Sequence, residues 1–600
     1  MGMGRRGYLC GVWFLAIAAC GVPVVTSVEL EKEIPARPTP DGALALPPVL
    51  TPVRNEDSSV EEQTDAAPAP AADGGTDSGL LVQPEPTDSV MEPVPTPPPE
   101  PPPLTVSFEP PGGGFSAPIM VNLHGADPAA EVHYTLDGTV PSGSSPIATA
   151  AMRIESTTLL RAVAVRDGRF GPITNHAYFH VAADALTFRS ELPVIVIDMQ
   201  NAPVPGPLSE EHVSALIGVF EPGTESAGLE RSASVTSRIG IKVRGRSTRY
   251  QDKNNYTLEL RGVNEEDAPV PLLGMPAEGD WVLYAPFLYD PSLVHNALGY
   301  ELSRRIGRYA PRTKFCEVFL VSSTLGVTQA SYHGIYVLTE RITRGKDRVA
   351  VQKLDDDDLT DLTGGYIVQA NDPDFGDQPF TAAGRQFVYV YPKQEDVLPQ
   401  QTQYISQYMD SIVRAATAAN GVDVTTGQHY SALVDVNAFI DHHILNVLIK
   451  NPDAFALSSY FHKDSGGPLV AGPLWDLDLA MGANDPWGQR SVDPTRWNSG
   501  PDSIFERSFW GPLFTHAEFE QAYWARWNEL LAGPFQVSEL HAIVDDFEQQ
   551  LTQAELRNRA RWPESAPRND SFAAEIQALR DWLAARVAWI SANAGTLLPR

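Results

Sequence analysis

Cysteine is almost absent from this chain, with three in 600 residues, at positions 10, 20 and 316. So few, so far apart, exclude a disulfide-stapled scaffold. Cys316 stands alone in the apolar stretch Phe315–Phe319 and reads as a small core hydrophobe. Basic residues are scarce too: 44 Lys and Arg face 75 Asp and Glu, a net charge of −31. A nucleic-acid partner needs a concentrated basic surface, so that class is excluded, although a local phosphate site is not. Long apolar runs are missing as well. The run from Tyr8 to Ala19 is too short to span a bilayer as a stable helix. What is present is 43% hydrophobic residues, enough for a large core, and a length that allows up to about four domains.

Proline and negative charge are concentrated near the N-terminus. Residues 21–103 hold 15 acidic and three basic residues, with Pro-Pro-Pro at 97–99 and again at 101–103. Large apolar side chains are too few there to offset the entropy of ordering, so 20–103 is predicted to be a disordered, partly polyproline II tether. Before it, Arg5 and Arg6 precede the apolar run, which ends Ile17-Ala18-Ala19-Cys20. This resembles a bacterial lipoprotein signal over 1–19, with Cys20 lipidated after cleavage. The expectation is a lipid-anchored protein of the bacterial cell envelope, with the outer membrane or cell surface favoured because Gly21-Val22 offers no acidic residue after the cysteine.

From Leu104 to about 183, short alternating runs are separated by turn signals, as in Val132, Tyr134 and Leu136 before Asp137-Gly138. The pattern predicts a small all-β, immunoglobulin-like sandwich. The run Val132-His133-Tyr134-Thr135-Leu136-Asp137-Gly138-Thr139-Val140-Pro141 resembles the chitobiase C-terminal-like module. That resemblance implies an accessory module, acting as a spacer or as a carbohydrate contact.

Strand-like and helix-like stretches mix from about 190 to 515. Leu192–Asp198, Arg231–Arg246, Gly334–Leu338 and Gly365–Val368 read as strands, Pro291–Ile306 and Val434–Ile449 as helices. From 516 to 600 the chain turns helical and rich in Trp.

Two constellations carry chemistry. In Ile239–Arg246 the alternation places Lys242, Arg244 and Arg246 on one strand face, followed by Arg249 and Lys253. In so acidic a chain this stripe suits polyphosphate, since guanidinium forks match phosphate oxygens; the alternative is a salt-bridged sheet face. In Leu474–Gly482, Asp476 and Asp478 alternate with apolar residues, which predicts two carboxylates about 7 Å apart on one strand face. Such a pair is costly to bury without a cation, and oxygen ligands suit Mg²⁺ or Mn²⁺. Upstream, Asn451-Pro452-Asp453 follows a helix end, where a loop presents Asp453.

Taken in order, Arg244-Gly245-x-Ser247, Lys253-x-x-Tyr256, Trp281, Asp290 to Asn296, Gly334-x-Tyr336-x-Leu338-x-Glu340, Gly364-Gly365-Tyr366, Asn451-x-Asp453 and Trp475-Asp476-Leu477-Asp478 resemble the CotH family of spore-coat protein H-like atypical protein kinases. The resemblance runs from about Leu192 to at least 482. It implies a divergent α+β protein-kinase-like fold that binds ATP and a divalent metal and transfers phosphate to protein hydroxyls. In that reading Asp453 is the catalytic base and Asp476 the metal ligand, with Asp478 beside it. Lys253 with Arg244 or Arg246 holds the nontransferred phosphates, and Glu301, or else Glu340, pairs with Lys253.

One position departs from the family pattern. Relatives carry Asn five residues after the catalytic Asp as a second metal contact, and here Ser458 stands there. An inactive, pseudokinase-type binding or structural lipoprotein is therefore the alternative function. A metal-dependent sugar transferase using Asp476 and Asp478 is a third reading, disfavoured by the motif order. Asp374-Phe375-Gly376 spells the usual kinase tripeptide but precedes Asp453, whereas a metal aspartate follows the catalytic loop; it reads as a turn. Asp355–Asp358 reads as a solvated loop.

Overall fold

The computed structural model describes residues 102–594, apart from 210, 225, 355–358, 374–376 and 498–503. The expected signal, Cys20, the expected tether up to residue 101, Asp374–Gly376 and Asp355–Asp358 lie outside the described residues. Among those described, no helix is long and apolar enough to cross a membrane.

The first module is a β-sandwich. One sheet holds Val106–Glu109, Ile119–Gly125 and Met152–Ile154; the other is built from Gly113–Phe115, Thr174–His180, Thr158–Arg166 and Glu131–Thr135. Strand alternation sends Leu160, Ala162, Ala164 and Tyr178 into the sandwich's own core. Their neighbours Leu159, Ala177 and Phe179 point the other way, into a core shared with the next domain.

That next domain opens with a closed seven-stranded barrel: β1 (Val194–Asp198), β2 (Val213–Phe220), β3 (Val235–Arg244), β4 (Asn255–Arg261), β5 (Asp280–Tyr284), β6 (Thr313–Val321) and β7 (Tyr332–Glu340), in the order β1-β2-β3-β4-β5-β7-β6. The pair closing it, β1 with β6, is parallel. On β1, Ile195 and Ile197 fill the barrel while Val194 and Val196 face the sandwich. Burial on both faces is why Leu192–Asp198 reads as a continuous apolar run. The contact is close at Gly218 of β2, where a Cβ would come within 2.6 Å of the Phe179 ring. Arg161 of the sandwich adds a bond from Nη2 to the Val263 carbonyl, 2.9 Å. The module therefore shares a buried core with the barrel.

Helix α1 (His295–Arg305) lies between β5 and β6 in the chain. Below the barrel, a second antiparallel sheet comprises β8 (Tyr366–Ala370), β9 (Phe380–Ala382), β10 (Arg385–Tyr391), β11 (Ser459–Lys463) and β12 (Leu469–Ala471), ordered β9-β10-β8-β11-β12. Helices α2 (Pro399–Thr417), α3 (Val436–Leu448), α4 (Ala517–Leu531), α5 (Val537–Arg561) and α6 (Phe572–Asn593) join it in one large core. Asp435 caps α3 by accepting from Ala438 N at 2.9 Å, and the chain leaves the helix just before Asn451-Pro452-Asp453.

Two sequence expectations are corrected here. Strand β3 ends at Arg244, since Gly245 turns with φ 100°, so Arg246 is not on the strand face. The segment Leu474–Met481 is not a strand. It follows Pro473, which has no N–H for a ladder, and the Leu477 amide donates to the Asn296 side chain of α1 at 2.8 Å instead of to a strand. Asp476 takes a left-handed backbone, φ 63°, and the two aspartates separate: Asp476 is exposed and Asp478 is buried.

Candidate functional site

Two loops meet at the foot of the barrel, and the β11–β12 hairpin is the reason they meet. Ser458 directly precedes β11, and Asp476 follows β12 by five residues, so the hairpin returns the chain to where it began. The first loop is held by Asn451, whose Nδ2 donates to Asn446 Oδ1 (3.0 Å) and whose Oδ1 accepts from Asp453 N (3.1 Å). The second is held by α1. Tyr300 OH donates to Asn296 Oδ1 at 3.0 Å and accepts from Asp476 N at 3.3 Å. The fit is tight at Gly299, where a Cβ would lie 2.2 Å from the Leu477 side chain.

Asp453 is largely buried. Its Oδ1 accepts from Arg490 Nη1 at 3.2 Å. Burial raises its carboxyl above the ordinary range, Arg490 opposes that, and the charge of Asp476 adds to it. Across from it, Ser458 Oγ donates to Asp476 Oδ2 at 2.9 Å. The Arg244 guanidinium sits over the Trp475 ring, 5.1 Å from its centre, and Trp475 in turn stacks on Tyr300 at 6.0 Å. Burial lowers the Arg244 pKa, with the Tyr460 and Asp476 charges opposing and the Arg341 charge adding. Arg341, whose charge also reaches Arg244, donates from Nη1 to Asp280 Oδ1 at 3.2 Å.

Asp478 behaves differently. Burial, reinforced by the charges of Asp476, Asp453 and Asp290, pushes its carboxyl well above the carboxylate range. The one hydrogen bond found for it comes from its own backbone amide. A buried carboxyl surrounded by like charges ionises only beside a cation. Among the described residues, no three His, Cys, Asp or Glu side chains converge into a ready metal site. A hard cation such as Mg²⁺ needs only one or two carboxylates when substrate phosphates and water complete its shell. Asp478 and Asp476, with the Ser458 hydroxyl, fit that demand.

The other expected site residues are elsewhere. Lys253 is fully buried, and its Nζ donates to Pro286 O (3.1 Å), Ile335 O (2.6 Å) and Asn558 Oδ1 (3.0 Å). All three donors are engaged, and burial lowers its pKa to about 7, so it clamps α5 to the barrel and is not placed to meet phosphate. Glu301 pairs with Arg304 and Arg305 of its own helix, at 2.8 and 3.0 Å. Glu340 is bound by Arg312 and Arg348, 2.6 and 2.5 Å away, so neither glutamate meets Lys253. Arg246 is exposed and pairs with Asp372 at 3.2 Å. Sequence reading missed Arg490 and Tyr300. Asn296 lies inside a quoted motif, whereas Arg490 is 37 residues from its partner and carries no local signal.

Comparison with known proteins agrees with this architecture. The model of the chitobiase/beta-hexosaminidase C-terminal domain matches residues 110–171. No curated protein matches the chain. The model described as CotH kinase protein matches residues 241–590, which is more than half of the chain and contains both site loops, and so the chain belongs to the CotH kinase protein family.

Proposed function

We propose that the protein is an ATP-dependent protein kinase, exported and tethered to a membrane through Cys20, that phosphorylates hydroxyls of a protein substrate. The supporting observation is the meeting of Asp453 and Asp476 on adjacent loops, with Ser458 on Asp476 and the buried carboxyl of Asp478 close to both charges. Asp453 orients the acceptor hydroxyl and takes its proton. The acceptor oxygen bonds to the γ-phosphorus of ATP, the bond from that phosphorus to the bridging oxygen breaks, and ADP leaves with the electron pair. Arg244, over the Trp475 ring, is the cation that meets the phosphates. Asp476, Asp478 and Ser458 would hold Mg²⁺ or Mn²⁺, which would supply neutralisation of phosphate charge. The remaining task for the chain is positioning, which the α1 and hairpin contacts serve.

Ser458 favours a second reading, a nucleotide-binding but inactive surface protein, because a hydroxyl occupies the place of an amide ligand. Full-length protein with labelled ATP and Mg²⁺ or Mn²⁺ separates the two. Label on the protein itself or on a protein extract, lost in Asp453→Asn and Asp476→Asn, supports the kinase. A nucleotide-dependent thermal shift without label selects the inactive reading, and absence of both rejects nucleotide chemistry altogether.

A further inference from the structure

The segment after Asp478 folds around one buried carboxylate. Asp485, whose side chain has no exposed surface, accepts from Trp487 N at 2.9 Å, from Arg490 N at 3.1 Å and from Arg490 Nε at 2.6 Å. Residues beyond Arg490 are anchored as well. Ser491 Oγ donates to Leu479 O at 2.7 Å, and Trp582 Nε1 of α6 donates to Ser491 O at 3.0 Å. Arg490 is therefore fixed by its backbone, by its Nε and by the residue that follows. Its Nη1 remains, and this is the group that meets Asp453 Oδ1 at 3.2 Å.

A carboxylate beside Asp476 has two ways to fail as a base. It can rotate about its Cβ–Cγ bond, or turn both oxygens toward a cation held by the neighbouring aspartates. An arginine locked by a second, buried carboxylate opposes both, because one oxygen is occupied in a fixed direction and the other is left for the acceptor.

We infer that Arg490 is the positioning residue of the transfer: braced by Asp485, it holds Oδ1 of Asp453 so that Oδ2 receives the proton of the acceptor hydroxyl. This rests on the base role proposed for Asp453. The competing role is a brace for residues 485–491 that touches Asp453 without consequence.

Full-length Arg490→Gln, Arg490→Lys and Asp485→Asn, each also combined with Asp453→Asn, distinguish the two in steady-state transfer and thermal unfolding. Arg490→Gln is expected to lower kcat about a hundredfold, the scale of a misplaced catalytic group, while KM for ATP stays unchanged. Arg490→Lys should recover much of that loss, and in thermal unfolding Arg490→Gln should add little in the Asp453→Asn background. An unchanged kcat in Arg490→Gln, no recovery in Arg490→Lys, or a change in KM for ATP alone overturns the inference. If the wild type transfers no phosphate, the kinase reading fails and the unfolding cycle decides the pairing: non-additive Arg490→Gln and Asp453→Asn shifts retain the clamp, and additive shifts remove it.

Discussion

Ser458 Oγ donates to Asp476 Oδ2 across 2.9 Å, joining residues 18 apart in the chain. The hydroxyl stands where the family resemblance implies an amide, on the aspartate that the same resemblance assigns to metal. Ser458→Ala is expected to raise the Mg²⁺ concentration for half-maximal transfer about tenfold, and Ser458→Asn to lower it by a similar factor. A metal titration with unchanged midpoints in both variants would remove Ser458 from the cation's surroundings.

Asp478 should trade stability for function. Its carboxyl is raised by burial above the ordinary 3.8, so it destabilises the fold as pH rises above that value, where the unfolded chain ionises it freely. Asp478→Asn is expected to unfold about 1 kcal/mol later than the wild type in metal-free buffer at pH 7, since the amide keeps the shape without the charge. Added Mg²⁺ with nucleotide should then stabilise the wild type and leave the variant unmoved.

For Lys253 the expected loss is structural. Lys253→Met takes a donor from the Pro286 and Ile335 carbonyls and leaves Asn558 Oδ1 with the Ile335 amide alone, a cost of about 1–3 kcal/mol in chemical denaturation. The folded pKa of about 7 lies below the usual 10.5, so folding releases a proton between those values. Wild-type stability should accordingly gain on the variant as pH rises from 7 to 10. Nucleotide affinity of the folded variant is expected to match the wild type.

His442 and His443 on α3 are buried, and burial lowers both to about 3. A base whose folded pKa is depressed contributes stability above its unfolded value and loses it as pH falls toward the folded one. Unfolding midpoints should therefore drop between pH 6.5 and pH 3. His443 stacks on Phe455, with 5.0 Å between ring centres, so His443→Phe keeps much of the packing and should flatten the acid slope.

The sandwich and the barrel are expected to unfold together. Gly218→Val pushes a side chain into the Phe179 ring and should destabilise by about 1–3 kcal/mol, whereas Phe179→Ala opens a cavity worth about 3–5 kcal/mol. Two separate calorimetric transitions in the wild type would contradict the shared core. A fragment starting at residue 190 exposes Val194, Val196, Leu216 and Phe220 and should aggregate where one starting at 104 does not.

Local pattern was enough for much of this protein. The both-face burial of β1, the alternation of the sandwich strands, the α3 helix and the order of separated motifs are written in residue types at short spacing, because strand and helix periodicity is a local property. The loop at Asp453 was legible for the same reason, as Pro452 biases Asn451 away from helix just after α3 ends at Leu448.

Electrostatic partnership was not local, and there the sequence was silent or misleading. Lys253 looks like a phosphate ligand until Pro286, Ile335 and Asn558 arrive from distant parts of the chain and take its three donors. Asp476 and Asp478 look like a matched pair until Asn296 and Tyr300 turn the backbone between them, leaving one in solvent and one buried. The scarcity of cysteine and of basic residues is evident from composition alone. Which of the few cations meets which carboxylate depends on distances of about 3 Å between residues far apart in the chain, and only the tertiary structure decides those.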